Sequence, residues 1–509
     1  MTDPRTPVVV AVGQVVDHWN GRDPAAAPSP VSLAAEAARR ALADSGAGPA
    51  LAGAVDRAVA VRTMLDSIPG APQPFGRCAN LPLSIARAAG IAPREAIYSV
   101  VGGDQPQALV NEAAEAVFAG DVRAVLIAGA EATAAMKAAL RAGHALGWSA
   151  SAEGPLDDRG LGAPLLTPYE LANGLGMPTM TYPAFEHALR ARLGLDRAAY
   201  TALMSELWAG FSTVAAANPY AQFPQARSAE FLATPSAENY PVSDPYLKWH
   251  VAQDAVNQGA AVVVTTVATA DALGIAADKR VFLHGYAAAK DATPTARPDL
   301  SRSRAIAAVL AGALDRAGKA TADIAAFDLY SCFPCAVLLA AEALGLDWRA
   351  VPATVTGGLP FFGGAGNNYS LHAIATMAER LRAAPGSFGL VLANGGFLSK
   401  EAAGVYSTEP PPTWQPQSSA ALQATIDAEP GPPLVAADCE GRVETYTVTY
   451  AKGQAQQGYV VAATAAGRVL ARTRRGDAAV LAELAERDPV GRTVRVEHAD
   501  GVNRIAAIA

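Results

Sequence analysis

A unit made of a helix followed by a strand occurs twice in the sequence, and this duplication constrains the fold more than any other feature. Residues 32–46 place small apolar residues at helical spacing, stop at Gly46 and lead into the apolar run VDRAVAVR. Residues 304–318 repeat the arrangement, stop at Gly318 and lead into DIAAFDLYSCF. A glycine directly after such a stretch is a common helix C-cap, so each copy predicts a helix followed by a strand.

A second pair of segments supports the duplication. AGDVRAVLIAGAEAT at 119–133 has a counterpart in GSFGLVLANGGFL at 386–398. The glycines of the first pair are 272 residues apart, and those of the second pair, Gly129 and Gly395, are 266 apart. Alternating helices and continuously apolar strands predict mostly parallel sheets covered by helices. We therefore expect an α/β protein in which two halves stack as five layers, helix, sheet, helix, sheet and helix.

The chain is long enough, at 509 residues, for more than these two halves. We expect an N-terminal half at 1–270, with an insertion at 134–245 that is rich in Met, Trp, Tyr and Pro, and a C-terminal half at 271–407. After the proline-rich linker TEPPPTWQPQ, residues 411–509 alternate in strand fashion and predict a small antiparallel, OB-like β-barrel.

Bulk composition excludes several classes of function. A net charge of −7 and a pI near 5.6 give no field that would draw the chain to nucleic acid or to an anionic membrane. No apolar run reaches the length of about 18 residues that a membrane span needs, and the start of the chain has no basic-then-apolar leader. The four cysteines are too few and too widely spaced for disulfide bonds to stabilise a chain of this size. We expect a soluble, cytoplasmic protein.

Four segments resemble one protein family in sequence and in order: NPYAQF, DPYLKWHVAQDAVNQGAAVVVTT, DLYSCFPCAVLLAAEALGL and TVTGGLPFFGGAG. They are similar to segments of the thiolase superfamily, and within it of the sterol-carrier-type branch. The resemblance covers roughly residues 6–407. It implies the duplicated thiolase fold, a coenzyme A thioester as the substrate and no covalently bound cofactor.

The resemblance also shows which catalytic side chains are replaced. Thiolases place a nucleophilic cysteine at a helix N-terminus, where the helix dipole lowers its pKa, and use a histidine and a second cysteine to move protons. Carried over position by position, the nucleophile falls on Gly103, the histidine on Gly364 and the second cysteine on Asn394, while Tyr330 takes the place of the family's Asn or His. A covalent acyl intermediate at Gly103 is therefore chemically impossible.

The turn GGDQPQ contains the candidates for a binding role at the former nucleophile. Asp104 is interpreted chiefly as the N-cap of the following helix, with a catalytic carboxylate as the alternative. Gly102 and Gly103 would leave open space in which helix N–H groups cradle an oxyanion or a thioester, or would simply form a tight turn. Gly363 and Gly364 are the corresponding candidates in the later loop. We expect a thioester cavity without its sulfur, and side chains filling that cavity would contradict this expectation.

Three other side chains are candidate acids, bases or hydrogen-bond donors. Tyr330 and Cys332 share a face at a strand end, and His372 follows the glycine-rich loop. A tyrosine could protonate an enolate, as is thought for some thiolase-fold aldolases that work with OB-type partners; Tyr369 is a second choice. Packing is the alternative for His372, and a buried structural role is the alternative for Cys332 and for Cys335, because the CFPC motif has no second metal-binding pair.

Arginines of the predicted barrel form one more candidate site. GRVLARTRRGD could hold coenzyme A phosphates, or it could be a solvated hairpin; its arginines are Arg468, Arg472, Arg474 and Arg475.

The leading hypothesis is an acyl-CoA-binding, thiolase-like protein, a monomer or a homodimer, with non-covalent aldolase-like chemistry through Tyr330 as its possible reaction. A catalytically inactive acyl-CoA-binding or partner protein is the alternative. A nucleic-acid-binding barrel is the least favoured hypothesis because its charge is near neutral. The sequence contradicts an acetyl-CoA acetyltransferase activity, although overall similarity would suggest that name.

Overall fold

The centre of the molecule is one continuous ten-stranded sheet made of two halves of the same design, here called the N-terminal and the C-terminal sheet. The computed structural model describes residues 2–509. The strands are, in chain order, β1 (Pro7–Val16), β2 (Val55–Ala60), β3 (Glu95–Tyr98), β4 (Ala124–Ala132), β5 (Asp157–Asp158), β6 (Pro241–Ser243), β7 (Tyr246–Leu247), β8 (Asn257–Thr266), β9 (Val281–Lys290), β10 (Ile324–Leu329), β11 (Phe388–Gly395), β12 (Lys400–Ser407), β13 (Cys439–Ala451), β14 (Gln454–Thr464), β15 (Gly467–Arg472), β16 (Thr493–Ala499) and β17 (Val502–Ile508).

Strand pairing shows the duplication directly. In the N-terminal half β1 pairs antiparallel with β8, β8 antiparallel with β4, and β4 parallel with β2. In the C-terminal half β9 pairs antiparallel with β12, β12 antiparallel with β11, and β11 parallel with β10. The two sets meet where Val8 of β1 pairs with Phe282 of β9. The predicted duplicated α/β fold is confirmed.

Helices cover both sheets and separate them. They are α1 (Pro30–Asp44), α2 (Gly48–Ala54), α3 (Leu81–Ala88), α4 (Gln105–Ala119), α5 (Thr133–Ala142), α6 (Pro168–Ala172), α7 (Pro178–Arg192), α8 (Arg197–Ala216), α9 (Ala229–Ala233), α10 (Val267–Ala272), α11 (Arg304–Ala317), α12 (Pro334–Leu344), α13 (Tyr369–Ala383), α14 (Ala420–Asp427) and α15 (Ala478–Glu486). Helices α1 and α3 pack outside the N-terminal sheet, α4 and α13 lie between the sheets, and α11 and α12 lie beyond the C-terminal sheet. These are the five predicted layers.

Two equivalent glycines let the outer helices approach their sheets closely. Gly13 on β1 and Gly285 on β9 are 272 residues apart, the same offset as Gly46 and Gly318. A Cβ atom at either glycine would lie 2.5 Å from a helix backbone nitrogen, that of Ala41 or that of Ala317. Any side chain at these two positions would push the helix away from the sheet.

The predicted insertion contains α5 to α9 and the hairpin β6–β7, and it contacts the C-terminal barrel. Strands β13, β14, β15, β17 and β16 close that barrel in this order, with α15 between β15 and β16. All its pairings are antiparallel except β15 with β17. Hairpin β6–β7 extends the barrel sheet, where Ser243 pairs with Thr449. The domain boundaries at 270 and 411 remain predictions. Among the helices of residues 2–509, none combines the length and apolarity that a membrane crossing requires.

Candidate functional site

The position beside Gly103, which the family resemblance assigns to the thiolase nucleophile, is occupied by a tyrosine ring. A Cβ atom on Gly103 would lie 2.5 Å from the Asn394 carbonyl oxygen and 2.8 Å from Cζ of Tyr330, and closer still to the Tyr330 hydroxyl oxygen. Ser370, at the start of α13, donates a 3.2 Å hydrogen bond to the Gly103 carbonyl and holds this turn from the other side. The expectation of open space beside Gly103 is therefore wrong, because the space is filled by the protein's own side chain.

Tyr330 is a buried, neutral phenol at this point. It follows β10 directly, and its ring meets that of Tyr369 edge to face with centroids 5.5 Å apart. Burial raises the pKa of Tyr330 well above its usual value, and the neighbouring Cys332, Tyr369 and Asp104 reinforce the shift. Tyr330 can therefore donate a hydrogen bond at the former nucleophile position, but it is not a nucleophile near neutral pH.

Asp104 does not cap α4, contrary to the interpretation favoured from sequence. Its backbone is helical and its side chain makes no capping hydrogen bond. The carboxylate instead lies 3.3 Å from Nζ of Lys400 and accepts a 2.8 Å hydrogen bond from Nε2 of Gln105. This ion pair fills the space beside Gly102, where a Cβ atom would lie 2.5 Å from the Lys400 nitrogen. Burial raises the pKa of Asp104, while the Lys400 charge opposes that shift.

Cys332 and Asn394 meet next to Tyr330; the family resemblance assigned Asn394 to this site, and the spacing along the strand placed Cys332 on the same face as Tyr330. The Asn394 amide donates a 3.2 Å hydrogen bond to the hydroxyl of Tyr182 and lies 3.8 Å from Sγ of Cys332. Burial raises the pKa of Cys332 to about 12. Cys335, in α12, is also buried, and burial raises its pKa well above the ordinary value. Neither sulfur is a thiolate near neutral pH, so neither replaces the missing nucleophile.

His372 lies in the middle layer and is neutral. Its Nδ1 is 2.9 Å from Oε1 of Gln14 on β1, and its ring contacts Phe362 edge to face at 5.1 Å. Burial lowers the pKa of His372 to about 3. These contacts favour the packing alternative for this histidine. Tyr369 is likewise held, because its hydroxyl is 2.5 Å from Thr356 Oγ1 and 3.2 Å from the Asp328 carboxylate.

The loop of Gly363 and Gly364 borders an open groove rather than the tyrosine. Gly363 has a φ of 128°, a conformation that favours glycine, and Gly364 donates a 2.8 Å hydrogen bond to the carbonyl of Gln253. We call the neighbouring surface depression the basic groove. Its volume is about 420 Å³, and it is lined by Phe223, Pro224, Gln225, Arg227, Lys248, Trp249, Gln253 and Ala255.

Two cations and no carboxylate line the basic groove. The Arg227 guanidinium lies 3.8 Å from the centroid of the Trp249 ring, and Nζ of Lys248 lies 4.9 Å from the same centroid. Trp249 is itself fixed, because it stacks on Phe361 with centroids 6.0 Å apart. The groove therefore presents two positioned positive charges on a rigid aromatic base.

The groove and the tyrosine site share a wall. The backbone N–H of Ala252 donates a 3.1 Å hydrogen bond to the carbonyl of Cys332, and the N–H of Gln253 donates a 3.2 Å hydrogen bond to the carbonyl of Leu359. Sequence reasoning missed the groove cations, although the aromatic and basic residues of DPYLKWH were visible. It also missed Lys400 and Glu401, two charged residues that begin the otherwise apolar strand β12.

The outer face of β14 and β15 is not available to ligands. Val461 and Leu470 are buried in the same core as α7 and α8. Tyr169 of α6 packs on this face, where its hydroxyl accepts a 2.9 Å hydrogen bond from the Leu470 N–H. Arg468 is also buried, with Nε 2.6 Å from the carboxylate of Glu444. Arg468 therefore anchors the barrel and does not form a phosphate site or a solvated hairpin.

A family model and several solved structures are similar to this chain. The model of the thiolase-like protein type 1 additional C-terminal domain matches residues 421–501. A crystal structure of a monomeric SCP2-thiolase-like protein type 1 from Mycobacterium smegmatis is 39% identical, with a TM-score of 0.84, and the match covers 99% of this chain and 100% of that one. A search of curated proteins gives no significant match.

More distant structures share the fold of the two halves. The dimeric peroxisomal thiolase of Saccharomyces cerevisiae is 15% identical, with a TM-score of 0.59, over 80% of this chain and 99% of that one. A structure described as an Ltp2-ChsH2(DUF35) aldolase is 18% identical, with a TM-score of 0.56, over 79% of this chain and 98% of that one. Both matches stop short of the full chain, which carries the additional barrel.

Proposed function

This chain belongs to the SCP2-thiolase-like proteins of type 1, and we propose that it binds a coenzyme A thioester without forming an acyl–enzyme intermediate. The observation that carries the binding half of this proposal is the basic groove beside Gly363 and Gly364. Coenzyme A carries phosphates, and a guanidinium and an ammonium held on one wall suit them. No acidic side chain lines the groove to oppose an anion.

The absence of an acyl intermediate follows from the filled nucleophile position. Tyr330 occupies the space beside Gly103, and the two nearby thiols stay protonated near neutral pH because they are buried. Acyl transfer through a thiolate therefore has no group to begin it.

Calorimetric titration with coenzyme A and acetyl-CoA tests the binding proposal. We expect the double variant Arg227→Ala, Lys248→Ala to weaken binding about a hundredfold, because each charge-assisted contact contributes roughly 1.5 kcal/mol. Arg349→Ala is the matched control, since Arg349 is also a surface arginine lying on a tryptophan, 4.2 Å from the Trp348 centroid. Equal affinity in the wild type and the double variant would contradict the assignment of the groove.

A second candidate function is aldolase-like chemistry on a β-hydroxyacyl-CoA, and the position of Tyr330 favours it. A neutral phenol at the N-terminus of α4 could protonate an enolate or hold it by a hydrogen bond. The relative described as an aldolase has the same fold. If Tyr330→Phe turns over an active β-hydroxyacyl-CoA as fast as the wild type and as the barrel control Tyr450→Phe, this candidate is excluded.

We further propose that the C-terminal barrel is of the OB type and serves as a structural brace. Arg468 and Tyr169 tie it to the rest of the chain, and the outer face of its second and third strands is covered. A nucleic-acid-binding function has little free surface on that face. Salt-dependent binding of oligonucleotides would overturn this view.

We propose that the protein is a monomer. The edge of the N-terminal sheet is covered, because β5 pairs with β3 and the Arg159 N–H donates a 3.0 Å hydrogen bond to the Tyr98 carbonyl. An edge strand paired in this way offers less surface to a second copy. The type 1 relative is described as monomeric. Light scattering during size-exclusion chromatography should give a mass near 52 kDa.

A further inference from the structure

Four unpaired polar atoms belong to three buried side chains that meet in the part of the molecule next to Cys332. Both carboxyl oxygens of Glu401, Oδ1 of Asn394 and Nη1 of Arg297 are fully buried and have no hydrogen-bond partner within residues 2–509. Glu401 and Arg297 are each 1% exposed and Asn394 is 2% exposed. A buried polar atom without a partner is costly, so native proteins rarely keep several together without a use for them.

Strand pairing brings these groups to one face. Asn394 of β11 and Glu401 of β12 are direct cross-strand partners, so their side chains lie on the same side of the sheet. The Asn394 amide meets the Tyr182 hydroxyl and the Cys332 sulfur on that side. We call this region the polar chamber and define it by Tyr182, Arg297, Cys332, Asn394 and Glu401.

Arg297 reaches the chamber from a different element. Its Nε donates a 3.0 Å hydrogen bond to the Ala292 carbonyl and its Nη2 a 2.6 Å hydrogen bond to the Phe397 carbonyl. Its guanidinium lies 4.6 Å from the centroid of the Phe185 ring. Two of its three nitrogens are therefore used for anchoring, and Nη1 is left free. The anchored arginine acts on Glu401, because its charge lowers the pKa of that carboxyl, against the larger effect of burial and the effect of Asp104.

The free atoms define what could bind. Nη1 of Arg297 can only donate a hydrogen bond, and Oδ1 of Asn394 can only accept one. The carboxyl of Glu401 accepts hydrogen bonds and, when protonated, also donates one; burial raises its pKa and so favours the protonated form. An uncharged group that both donates and accepts, such as a hydroxyl, satisfies all three side chains. A hydrocarbon satisfies none of them.

We infer that the polar chamber recognises a hydroxyl group on the acyl part of the thioester, so that the protein selects hydroxyacyl-CoA over unsubstituted acyl-CoA. This inference rests on the proposed function, since the thioester is assumed to enter from the basic groove. The two sites share the wall formed by the backbones of Ala252 and Cys332. Cys332 therefore links the two sites, with its carbonyl at the shared wall and its sulfur in the chamber.

Titration calorimetry with three ligands tests the inference: free coenzyme A, butyryl-CoA and 3-hydroxybutyryl-CoA. We expect the wild type to bind 3-hydroxybutyryl-CoA at least tenfold more tightly than butyryl-CoA. Glu401→Gln, which keeps size and hydrogen-bonding capacity, should retain most of this preference. Glu401→Leu should abolish the preference and leave the affinity for free coenzyme A unchanged. Glu486→Gln, on the exposed end of α15, is the surface control.

The outcomes separate the two proposals. If coenzyme A binds but the wild type has equal affinity for the two acyl ligands, the inference about the chamber is overturned and the proposed function stands. If none of the three ligands binds, the proposed function fails and the inference fails with it. The comparison of ligands in the wild type needs no variant, so misfolding of Glu401→Leu would not remove the test.

Discussion

The nucleophile position and the basic groove belong to one scaffold but differ in almost every physical property. At the nucleophile position, Tyr330 and the Asp104–Lys400 ion pair fill the space beside two glycines. In the groove, Arg227 and Lys248 lie half-buried on an aromatic base and face an open depression. The position beside Gly103, which we call the closed end, is filled and the basic groove is open, so the proposed binding of a thioester does not depend on a covalent step.

The contrast between the two sites would fail if the buried Cys332 beside Tyr330 were reactive. Burial raises the pKa of Cys332 from 9.0 to about 12, so its thiolate fraction at pH 8 is about a thousandfold lower than that of an ordinary thiol. We expect iodoacetamide to label the partly exposed Cys78 at least a thousandfold faster than Cys332. Peptide mass spectrometry over a time course measures both rates. Comparable rates would show that the closed end opens and could carry a nucleophile.

Acid unfolding gives the second test, through His372. Its pKa is about 3 in the folded protein, against 6.5 for the free side chain. Between about pH 6.5 and pH 3 the unfolded chain binds a proton at His372 and the folded protein does not. The free energy of unfolding therefore falls as the pH is lowered through this range. We expect His372→Gln to reduce the loss of unfolding free energy between pH 6.5 and 4.5 by about 2.5 kcal/mol.

Urea unfolding at several pH values measures this slope. The exposed His18 gives the matched control for the exchange of an imidazole for an amide, His18→Gln. An unaltered slope in His372→Gln would mean that this histidine titrates normally and that the middle layer is hydrated.

The overall scaffold could be predicted from the sequence, because it rests on local patterns. The near-equal offsets of two glycine pairs, Gly46 with Gly318 and Gly129 with Gly395, predicted the duplication, and alternating apolar residues predicted the barrel. The predictions that failed concern residues whose contacts lie far away in the sequence. Asp104 was read as a cap because the sequence around it fits one, but its partner Lys400 is nearly three hundred residues away. The sequence suggested that Arg468 lies on the surface, but in the structure it is buried and paired with Glu444.

The site was predictable only in part for the same reason. Tyr330, Asn394 and Gly103 were assigned to one place by the family resemblance, and Cys332 was placed beside Tyr330 by its spacing; the structure brings the four together. That the tyrosine fills the space left by the missing cysteine is a matter of side-chain direction and packing, which no spacing in the sequence encodes.

A third prediction tests how tightly the closed end is filled. Gly103→Ala should lower the free energy of unfolding by about 1–3 kcal/mol, because the added methyl group meets the Tyr330 ring and the Asn394 carbonyl. In a Tyr330→Ala background the cost should fall by at least about 1 kcal/mol. Chemical denaturation of the four proteins of this cycle gives the coupling.

Gly210→Ala is the control for the added methyl group. Gly210 lies inside α8, and its Cβ atom would meet nothing within 4 Å, so this change should stabilise the helix by up to about 1 kcal/mol. If Gly103→Ala behaves in the same way, the closed end has room for a side chain and the contrast with the groove disappears.

The smallest expected effect tests whether Tyr330 and the basic groove act independently in binding coenzyme A. Removing the Tyr330 hydroxyl with Tyr330→Phe should change the affinity for free coenzyme A by less than about 0.5 kcal/mol, because groups that share no partners act independently. Lys248→Ala should weaken the same binding about tenfold, and the two changes should add in the double variant. Calorimetry on the four proteins measures this directly. A tyrosine that only fills space cannot act on a ligand across the Ala252–Cys332 wall. A clear loss of coenzyme A affinity in Tyr330→Phe, or a strong coupling between Tyr330 and Lys248, would therefore mean that the two sites contribute jointly to binding.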